Sequence, residues 1–340
     1  MIYKNVPLKK YNTFGVDYIA DSLIHIRTEK EASALLASSG SLKRPFFVLG
    51  SGSNILFTGD FRGTILYPDL GSIKIEEQNK NDESVVISAG AGVIWDKFTG
   101  WTVKKGFGGL ENLSLIPGKV GATPVQNIGA YGAEVKDNIV QVNTISLEDG
   151  SFRVFSNNDC KFSYRNSIFK SSEKGKYLVT RVYYRLSTRP VVDLSYGSLK
   201  EEVNKLGEET LKNVRQAVIN IRRSKLPDPE KIGNAGSFFK NPVVPDSVAL
   251  NLKTEFPQIP VYEDKPGYSK LASGWLIDQC GWRGRRIGNT GVHDKQALVL
   301  VNYGKATGTE IFNLSEEIRK SVFEKFGIDL EREVEVIGTI

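Results

Sequence analysis

The chain has 340 residues, with 45 Lys and Arg against 39 Asp and Glu, which gives a formal net charge of +6 at pH 7. About 150 residues per domain predicts two or three domains, and 40% hydrophobic with 25% charged residues is typical of a globular protein rather than a disordered one. No apolar run approaches the roughly 20 residues of a membrane helix, and residues 1–15 lack a signal-peptide core. We therefore expect a cytoplasmic protein without membrane insertion.

Hydrophobic periodicity predicts mixed strands and helices in the first two thirds of the chain. Thr28 and Glu31 have the spacing of a capping box that opens the first helix. Asp149-Gly150 is a hairpin signal between two strands. The predicted strands are 45–50, 63–67, 84–92, 139–155 (as a hairpin) and 176–186, and the predicted helices are 29–39, 95–106, 198–206 and 210–225.

Two prolines in residues 226–231 predict a break and a domain boundary. Beyond it, periodicity predicts helices around 248–256 and 271–281, a strand at 296–304 and a final strand at 332–338. The longest amphipathic helix is predicted at 307–327, with Gly327 as its C-terminal cap. The fold class is therefore α+β or mixed α/β, in at least two domains.

Cysteine and histidine are scarce, which excludes several chemistries. Cys160 and Cys280 are the only cysteines, so a disulfide framework is excluded. His25 and His293 are the only histidines, so a three-histidine zinc site is excluded, and we expect no metal. Catalysis must then depend on a cofactor or on Ser, Tyr, Arg, Lys and Glu side chains.

Two clusters interrupt an otherwise even spread of basic residues. One holds Arg222, Arg223 and Lys225, and the other spans 283–286. Without a basic tail or a basic stripe interleaved with aromatic residues, we expect no nucleic-acid partner. Each cluster is compatible with a small anion, such as a pyrophosphate or a carboxylate, and equally with a solvated surface.

Three glycine-rich segments carry the chemical signals. LGSGSNIL (49–56) follows a strand, and its small residues allow close approach of the backbone to a phosphate, although a simple tight turn has the same pattern. IPGKVGATPVQNIGAYG (116–132) is too apolar for a solvent loop and indicates an ordered loop that wraps a ligand. GNAGSFFKNP (233–242) places Ser237 between a glycine and two phenylalanines, where a structural serine and a positioned hydroxyl donor are both possible.

Together these segments resemble the UDP-N-acetylenolpyruvoylglucosamine reductase family of FAD enzymes in peptidoglycan precursor synthesis. Further matching motifs occur in chain order along nearly the whole length: NTFGVDYIA, YRNSIFK, SKLPDP, WLIDQCGWRG and LEREVEVIG. Ser51 replaces a glycine, and Arg332 stands where the family commonly has proline. The segments around Tyr131 and Tyr196 resemble the form of the family that closes a tyrosine loop over its substrate.

The resemblance implies an α+β fold with a two-lobed FAD-binding domain of the vanillyl-alcohol-oxidase type and a C-terminal α+β substrate-binding domain. The implied boundaries are 1–70 for lobe 1, joined by a C-terminal strand 334–340, then 71–226 for lobe 2 and 227–333 for the substrate domain. FAD would be bound without a covalent tether, and the positions implied for it are Gly50, Ser51, Gly52, Ser53, Asn54, Ile116, Pro117, Gly118, Gly121, Ala122, Asn127, Ile128, Gly129, Tyr131 and Gly132.

The resemblance also implies a reaction and its residues. NADPH would reduce the flavin, and flavin N5 would pass hydride to C3 of UDP-N-acetylglucosamine enolpyruvate, giving UDP-N-acetylmuramate. Ser237 would give the proton to C2, with Arg165 and Glu333 as the other two catalytic residues. Four positions would contact the UDP-sugar: Tyr196, Lys225, Asn241 and Gln296. We expect a monomer in a bacterial cytoplasm.

Two rival functions remain open from sequence. The same FAD fold also serves oxidases of alcohols or sugars, many of which tether FAD through histidine, and a non-catalytic electron-relay subunit would bind FAD without responding to a UDP-sugar. Neither His25 nor His293 lies in the glycine-rich segments, which disfavours a tether. GNAGSFFKNP and LEREVEV favour the reductase over both rivals.

Overall fold

The computed structural model describes residues 2–38, 40 and 42–338, so positions 339 and 340 of the predicted strand 334–340 lie outside the described residues. The chain divides into two compact units. The large unit comprises Met1–Val6, Ala20–Ser51 and Arg62–Ser224. The small unit comprises Pro7–Ile19, Gly52–Phe61 and Lys225–Ile340.

Helices are interspersed among runs of strands along the described residues. The helices are α1 (Glu29–Ala37), α2 (Trp95–Lys104), α3 (Leu199–Asn204), α4 (Leu211–Lys225), α5 (Asp246–Glu255), α6 (Ser273–Gln279) and α7 (Gly308–Phe326). The strands are β1 (Ile2–Pro7), β2 (Ile19–Ile26), β3 (Phe46–Val48), β4 (Ile55–Phe57), β5 (Phe61–Pro68), β6 (Ile73–Asn79), β7 (Ser84–Gly90), β8 (Gly129–Ala130), β9 (Ala133–Glu134), β10 (Ile139–Ser146), β11 (Phe152–Ser156), β12 (Tyr177–Ser187), β13 (Gly233–Ser237), β14 (Val243–Pro245), β15 (Val261–Glu263), β16 (Tyr268–Leu271), β17 (Arg286–Ile287), β18 (Thr290–Val292), β19 (Val299–Asn302) and β20 (Glu335–Ile337).

A five-stranded antiparallel sheet in the order β11-β10-β12-β7-β6 forms the centre of the large unit. Helix α2 packs against it through aromatic contacts: the ring centroids of Trp95 and Phe98 lie 5.9 and 5.1 Å from that of Tyr184 on β12. All three side chains are fully buried, so their apolar area is a main source of stability here. A second sheet of this unit has the order β1-β2-β5-β3, in which β3 and β5 run parallel.

The first helix begins as predicted at Thr28, whose hydroxyl accepts a hydrogen bond from the Glu31 N–H at 3.0 Å. The second half of the predicted capping box is wrong. The Glu31 carboxylate accepts from the Arg27 N–H at 2.9 Å, one residue before the cap. The donor is still an unpaired N–H at the helix start, so the carboxylate has a similar stabilising effect.

The small unit is built from short sheets. One has the order β13-β19-β18-β17, another β14-β16-β15, and β20 pairs in parallel with β4. Helix α7 begins with a complete capping box between Thr307 and Glu310 and ends at Gly327, which adopts φ 67°. The predicted cap at Gly327 is therefore confirmed, and left-handed backbone at this position favours glycine.

The predicted elements occur in the predicted order, with bounds that shift by a few residues. The hairpin around Gly150 forms from β10 and β11, and the helix predicted at 307–327 is α7. Both cysteines are free thiols. Among the described residues, no helix combines the length and the apolar character that crossing a membrane requires.

A substitution at Gly308 tests how closely helix α7 packs against strand β4. A Cβ atom at Gly308 would lie 1.6 Å from the Phe57 carbonyl oxygen, so a side chain there forces the backbone apart. We expect Gly308→Ala to lower the free energy of unfolding by about 1–3 kcal/mol, the usual cost of overpacking. Denaturant unfolding measures this, with Gly59→Ala as the control, because a Cβ at Gly59 meets nothing within 4 Å. Equal stability of the two variants would contradict the packing described.

Candidate active site

In the large unit, the first two glycine-rich segments meet. A Cβ atom at Gly50 would lie 3.9 Å from the Ala122 Cβ, and one at Gly121 would lie 2.6 Å from the Ala91 Cβ. The Gly121 N–H donates to the Ala91 carbonyl at 3.0 Å, and the preceding Val120 N–H donates to Val93 at 2.8 Å. Small residues at 91 and 121 therefore allow the backbones of 91–93 and 120–121 to run side by side. This part of the loop is ordered, and its ligand stays a prediction.

The far end of residues 116–132 is held in a conformation that few side chains tolerate. Asn127 and Tyr131 have φ values of 44° and 49°, in the left-handed region. The buried Asn127 amide donates to the Glu134 carboxylate at 3.1 Å and to the Ser163 carbonyl at 3.0 Å, while its oxygen accepts from the Lys136 N–H. This network fixes the loop, because strained backbone persists only where its surroundings determine it.

Arg165 contacts this loop directly. Its Nη2 atom donates to the Gly129 carbonyl at 2.6 Å, and a Cβ at Gly129 would lie 2.7 Å from its Nη1 atom. Arg165 itself adopts φ 54°, inside a tight turn in which Ser163 and Asn166 exchange backbone hydrogen bonds. The structure thus brings a predicted catalytic residue against a predicted cofactor-binding residue within one unit.

Tyr131, Gly132 and Tyr196 also come together. The two tyrosine rings make an edge contact with centroids 5.8 Å apart, and a Cβ at Gly132 would lie 3.5 Å from the Tyr196 Cβ. The Asn112 amide donates to the Tyr131 carbonyl at 2.9 Å and to the Asp193 carbonyl at 3.0 Å. Tyr196 remains 53% exposed, so its segment is anchored at Asp193 while its phenol is accessible.

Arg222 is a residue of this group whose role the sequence left open. It is partly buried on α4, whereas the adjacent Arg223 is exposed. Its Nε atom donates to the Leu115 carbonyl at 3.1 Å. Burial lowers the pKa of Arg222, the like charge of Arg165 lowers it further, and Tyr131 and Asp96 oppose both effects. Burial and a nearby like charge make this guanidinium a favourable place for an anion.

In the small unit, Gly52 fits a space that no side chain could share. Its φ is 64°, and a Cβ would lie 2.0 Å from the Tyr11 carbonyl oxygen. The Thr13 N–H donates to the Gly52 carbonyl at 3.1 Å. The division of the chain into units falls between Ser51 and Gly52, so the predicted pyrophosphate segment has residues in both.

Ser237 lies at the end of a β-bulge in the small unit. The register between β13 and β19 shifts between Asn234 and Ser237, with Gly236 at φ 69°. Bulges of this kind re-aim a side chain. The following residue, Phe238, is fully buried, and the centroid of its ring lies 6.2 Å from that of Phe14. This aromatic contact anchors the segment. No described residue of this unit makes a hydrogen bond to the Ser237 hydroxyl.

The peptide of Glu333 is held from both sides. Its N–H donates to the Phe238 carbonyl at 2.8 Å, and its carbonyl accepts from the Asn54 side-chain amide at 3.2 Å. The Asn54 carbonyl accepts in turn from the Glu335 N–H at 3.1 Å. Three segments predicted separately, around Asn54, Ser237 and Glu333, therefore meet in the small unit.

Arg332, which replaces a common proline, is tied to α7. Its Nε donates to the Ser315 hydroxyl at 3.1 Å, its Nη2 pairs with the Glu316 carboxylate, and its guanidinium lies 4.5 Å from the centroid of the Phe312 ring. Its backbone forms a bridge with Phe239. These contacts, which a proline could not make, restrain Arg332 and with it the backbone that leads into Glu333.

Asn241 and Gln296 flank the first turn of α6. The Asn241 oxygen accepts from the Ser273 N–H at 3.1 Å and from its hydroxyl at 2.8 Å, which leaves the amide donor directed elsewhere. A Cβ at Gly274 would lie 3.2 Å from the Gln296 Oε1 atom. Lys225, the last residue of α4, is exposed and makes none of these contacts.

These features fit a large phosphate-containing cofactor such as FAD. In the large unit a Cβ atom at Gly121 would clash with Ala91, and in the small unit a Cβ atom at Gly52 would clash with Tyr11. Backbone rather than side chain therefore lies at each position, as close approach to a phosphate requires. The segment 116–132 is ordered by internal hydrogen bonds rather than by solvent. The sites of individual cofactor atoms stay predictions.

Comparison with known proteins identifies relatives along the whole chain. A model described as the FAD binding domain matches residues 20–156, and one described as the C-terminal domain of UDP-N-acetylenolpyruvoylglucosamine reductase matches residues 228–337. UDP-N-acetylenolpyruvoylglucosamine reductase of Flavobacterium johnsoniae is 46% identical over 99% of both chains. The protein of the same name from Bacteroides fragilis is 47% identical over 97% of this chain and 98% of its own.

A solved structure agrees with these relatives. The crystal structure of UDP-N-acetylenolpyruvylglucosamine reductase from Thermus caldophilus matches with a TM-score of 0.67 and 25% identity, over 99% of this chain and 98% of that one. The predicted fold class, with an FAD-binding domain and a C-terminal α+β domain, is confirmed.

Gly52 offers a test of the cofactor loop. Gly52→Ala forces the Tyr11 backbone to move, so we expect FAD to bind at least about tenfold more weakly, which corresponds to 1.4 kcal/mol. Fluorescence of released flavin measures this. Gly15→Ala is the matched control, because Gly15 has nearly the same φ, 67°, but open space around a Cβ. Equal FAD affinity in both variants would remove Gly52 from the cofactor site.

Proposed function

Since the chain belongs to the UDP-N-acetylenolpyruvoylglucosamine reductase family, we propose that it reduces UDP-N-acetylglucosamine enolpyruvate to UDP-N-acetylmuramate through bound FAD, with NADPH as the electron source. The observation that carries the proposed residue roles is the small-unit arrangement of Asn54, Ser237 and Glu333. The Ser237 hydroxyl has no hydrogen-bond partner among the described residues of its unit. The residue after Ser237 is hydrogen-bonded to the backbone of Glu333, which is hydrogen-bonded in turn to Asn54 of the first glycine-rich segment. Neither an oxidase nor an electron-relay subunit needs this arrangement.

FAD, when bound, supplies the hydride chemistry of the reaction. Addition of hydride at C3 of the enolpyruvyl group leaves negative charge on C2 and its carboxylate. Ser237 then completes the reduction by giving its hydroxyl proton to C2. A hydroxyl is a weak acid, but a carbanion-like centre is basic enough to take its proton, and the bulge at Gly236 holds the hydroxyl where no neighbour in its unit competes.

Arg165, Arg222 and Glu333 stabilise the charge that develops on the substrate. A guanidinium is always charged and binds both oxygens of a carboxylate. The charge of Arg165 lowers the pKa of Arg222. This repulsion supports an anion shared by the two guanidinium groups, because a carboxylate relieves the repulsion between two like charges. Glu333, when protonated, donates a hydrogen bond to the same carboxylate.

The remaining predicted roles are part of the same proposal. Tyr196, Lys225, Asn241 and Gln296 contact the UDP-sugar, and the exposed Tyr196 phenol supports a mobile tyrosine segment over the substrate. The free amide donor of Asn241 supports a polar contact there. We also propose that the protein acts in the bacterial cytoplasm, as a monomer and without a nucleic-acid partner.

Ser237→Ala separates the two half-reactions. We expect FAD to be bleached by NADPH at the normal rate, while its anaerobic reoxidation by UDP-N-acetylglucosamine enolpyruvate slows by roughly 10²–10⁴-fold, the usual worth of a general acid. Stopped-flow absorbance measures both rates. The exposed Ser247→Ala on α5 is the control. Equal slowing of both half-reactions would sink the assignment, and reoxidation in air alone would favour an oxidase.

Arg222→Met tests the second arginine. At a low concentration of substrate, we expect the reoxidation of reduced flavin to slow by about 10- to 100-fold, since a hydrogen bond to a charged group contributes about 1.5–3 kcal/mol. Arg223→Met is a matched control, because the neighbouring guanidinium is exposed. If the two variants behave alike, the anion is not bound by Arg222.

A further inference from the structure

Asp96, in the first turn of α2, is the hub of a polar cluster in the large unit that the proposed chemistry does not use. Its Oδ1 and Oδ2 atoms accept from the Arg215 Nη1 and Nη2 atoms at 2.7 and 2.9 Å, a two-pronged ion pair. Oδ1 also accepts from the Leu115 N–H at 2.6 Å. The side chains of the pair are only 29% and 18% exposed, so water screens the interaction little.

The cluster continues to Arg222 through the backbone of one residue, Leu115. Arg215 and Arg222 are seven residues apart on α4, which places them on the same face two turns apart. Asp96 binds the N–H of Leu115, and Arg222 binds its carbonyl. Leu115 adopts φ 57°, a conformation that a leucine rarely takes without external restraint.

We propose that Asp96 is a positioning residue that holds the Arg222 guanidinium in place. It binds the Leu115 N–H on one side. On the other side it binds Arg215, which lies on the same helix as Arg222. The inference rests on the proposed role of Arg222 in binding the substrate anion. Asp96 touches neither substrate nor cofactor in this scheme. It acts by fixing the carbonyl that orients Arg222 and the helix that carries it.

The charge state of Asp96 supports the clamp. Burial alone would raise the pKa of this carboxyl, but the hydrogen bonds from Arg215 and from the Leu115 N–H leave the pKa below its ordinary value. The group is therefore ionised at neutral pH and can hold both partners. The clamp also adjoins the loop at 116–132, because Leu115 directly precedes Ile116.

A double-mutant cycle tests the proposal. Asp96→Asn keeps the shape of the side chain but loses the ion pair with Arg215. We expect it to slow substrate-driven reoxidation of reduced flavin by about tenfold in the otherwise unchanged holoenzyme, in the usual range of coupling between contacting residues. In an Arg222→Met background we expect Asp96→Asn to cause no further slowing, because the residue through which it acts is gone. Arg215→Lys, which cannot bind both carboxylate oxygens in the same way, should repeat both results.

The thermal unfolding midpoint separates positioning from a structural role. A merely structural Asp96 would lower the midpoint, and the Asp96→Asn substitution would slow reoxidation as much in the Arg222→Met background as in the wild-type background. That result would overturn the proposal. Glu202→Gln on α3, which packs against α4, removes an ion pair with Lys205 and serves as the control. If Arg222→Met alone leaves reoxidation unchanged, the role of Arg222 fails, and the positioning inference fails with it. If Arg222→Met slows reoxidation but Asp96→Asn does not, only the positioning inference fails.

Discussion

The small unit depends on the hydrogen bonds that hold the backbone of Glu333. This peptide lies between the Phe238 carbonyl and the Asn54 side chain, and the next bond runs from Glu335 to Asn54. Because breaking any of these hydrogen bonds costs free energy, none of the groups can be moved alone at low cost. Segments that lie far apart in the chain are therefore fixed relative to one another to within the tolerance of a hydrogen bond.

The large unit uses a different device. Its loop residues at 115, 127, 131 and 165 all adopt left-handed backbone, although none is glycine. Each is restrained by a side-chain hydrogen bond or by a neighbouring glycine. The Asn127 amide, for example, donates to the Glu134 carboxylate and to the Ser163 carbonyl. Concentration of strained backbone in one region is typical of functional loops, where rigidity in the free protein lowers the cost of binding.

Much of this could be predicted from sequence because its signals are local. Amphipathic periodicity predicted α4 and α7, glycine predicted the cap at Gly327, and the motifs in chain order identified the family. The role of Ser237 stays a prediction. Partners remote in sequence were beyond such signals. Nothing local distinguishes Glu31 binding Arg27 from Glu31 binding Thr28, since both N–H groups are free at a helix start. The contacts of Arg332 with α7 depend on tertiary packing alone.

Arg222 lies between these cases. It follows the buried Ile221 and lies four residues after Val218, at the edge of the apolar face of α4, while Arg223 is turned a further 100° or so towards solvent. A helical-wheel argument could have separated the two. It could not have shown that Arg222 meets the Leu115 carbonyl, because Leu115 is 107 positions away.

The pairing of β20 with β4 has a consequence for synthesis. The Asn54 amide and the Glu333 carbonyl are 279 positions apart, and β4 follows directly on Asn54. A growing polypeptide exposes β4 and the glycine loop long before their partner strand has been made. Until then the edge of β4 has no neighbour on that side and could pair with other chains. The small unit can close only after β20 has been synthesised, so a chain that stops before residue 335 would lack the partner of β4.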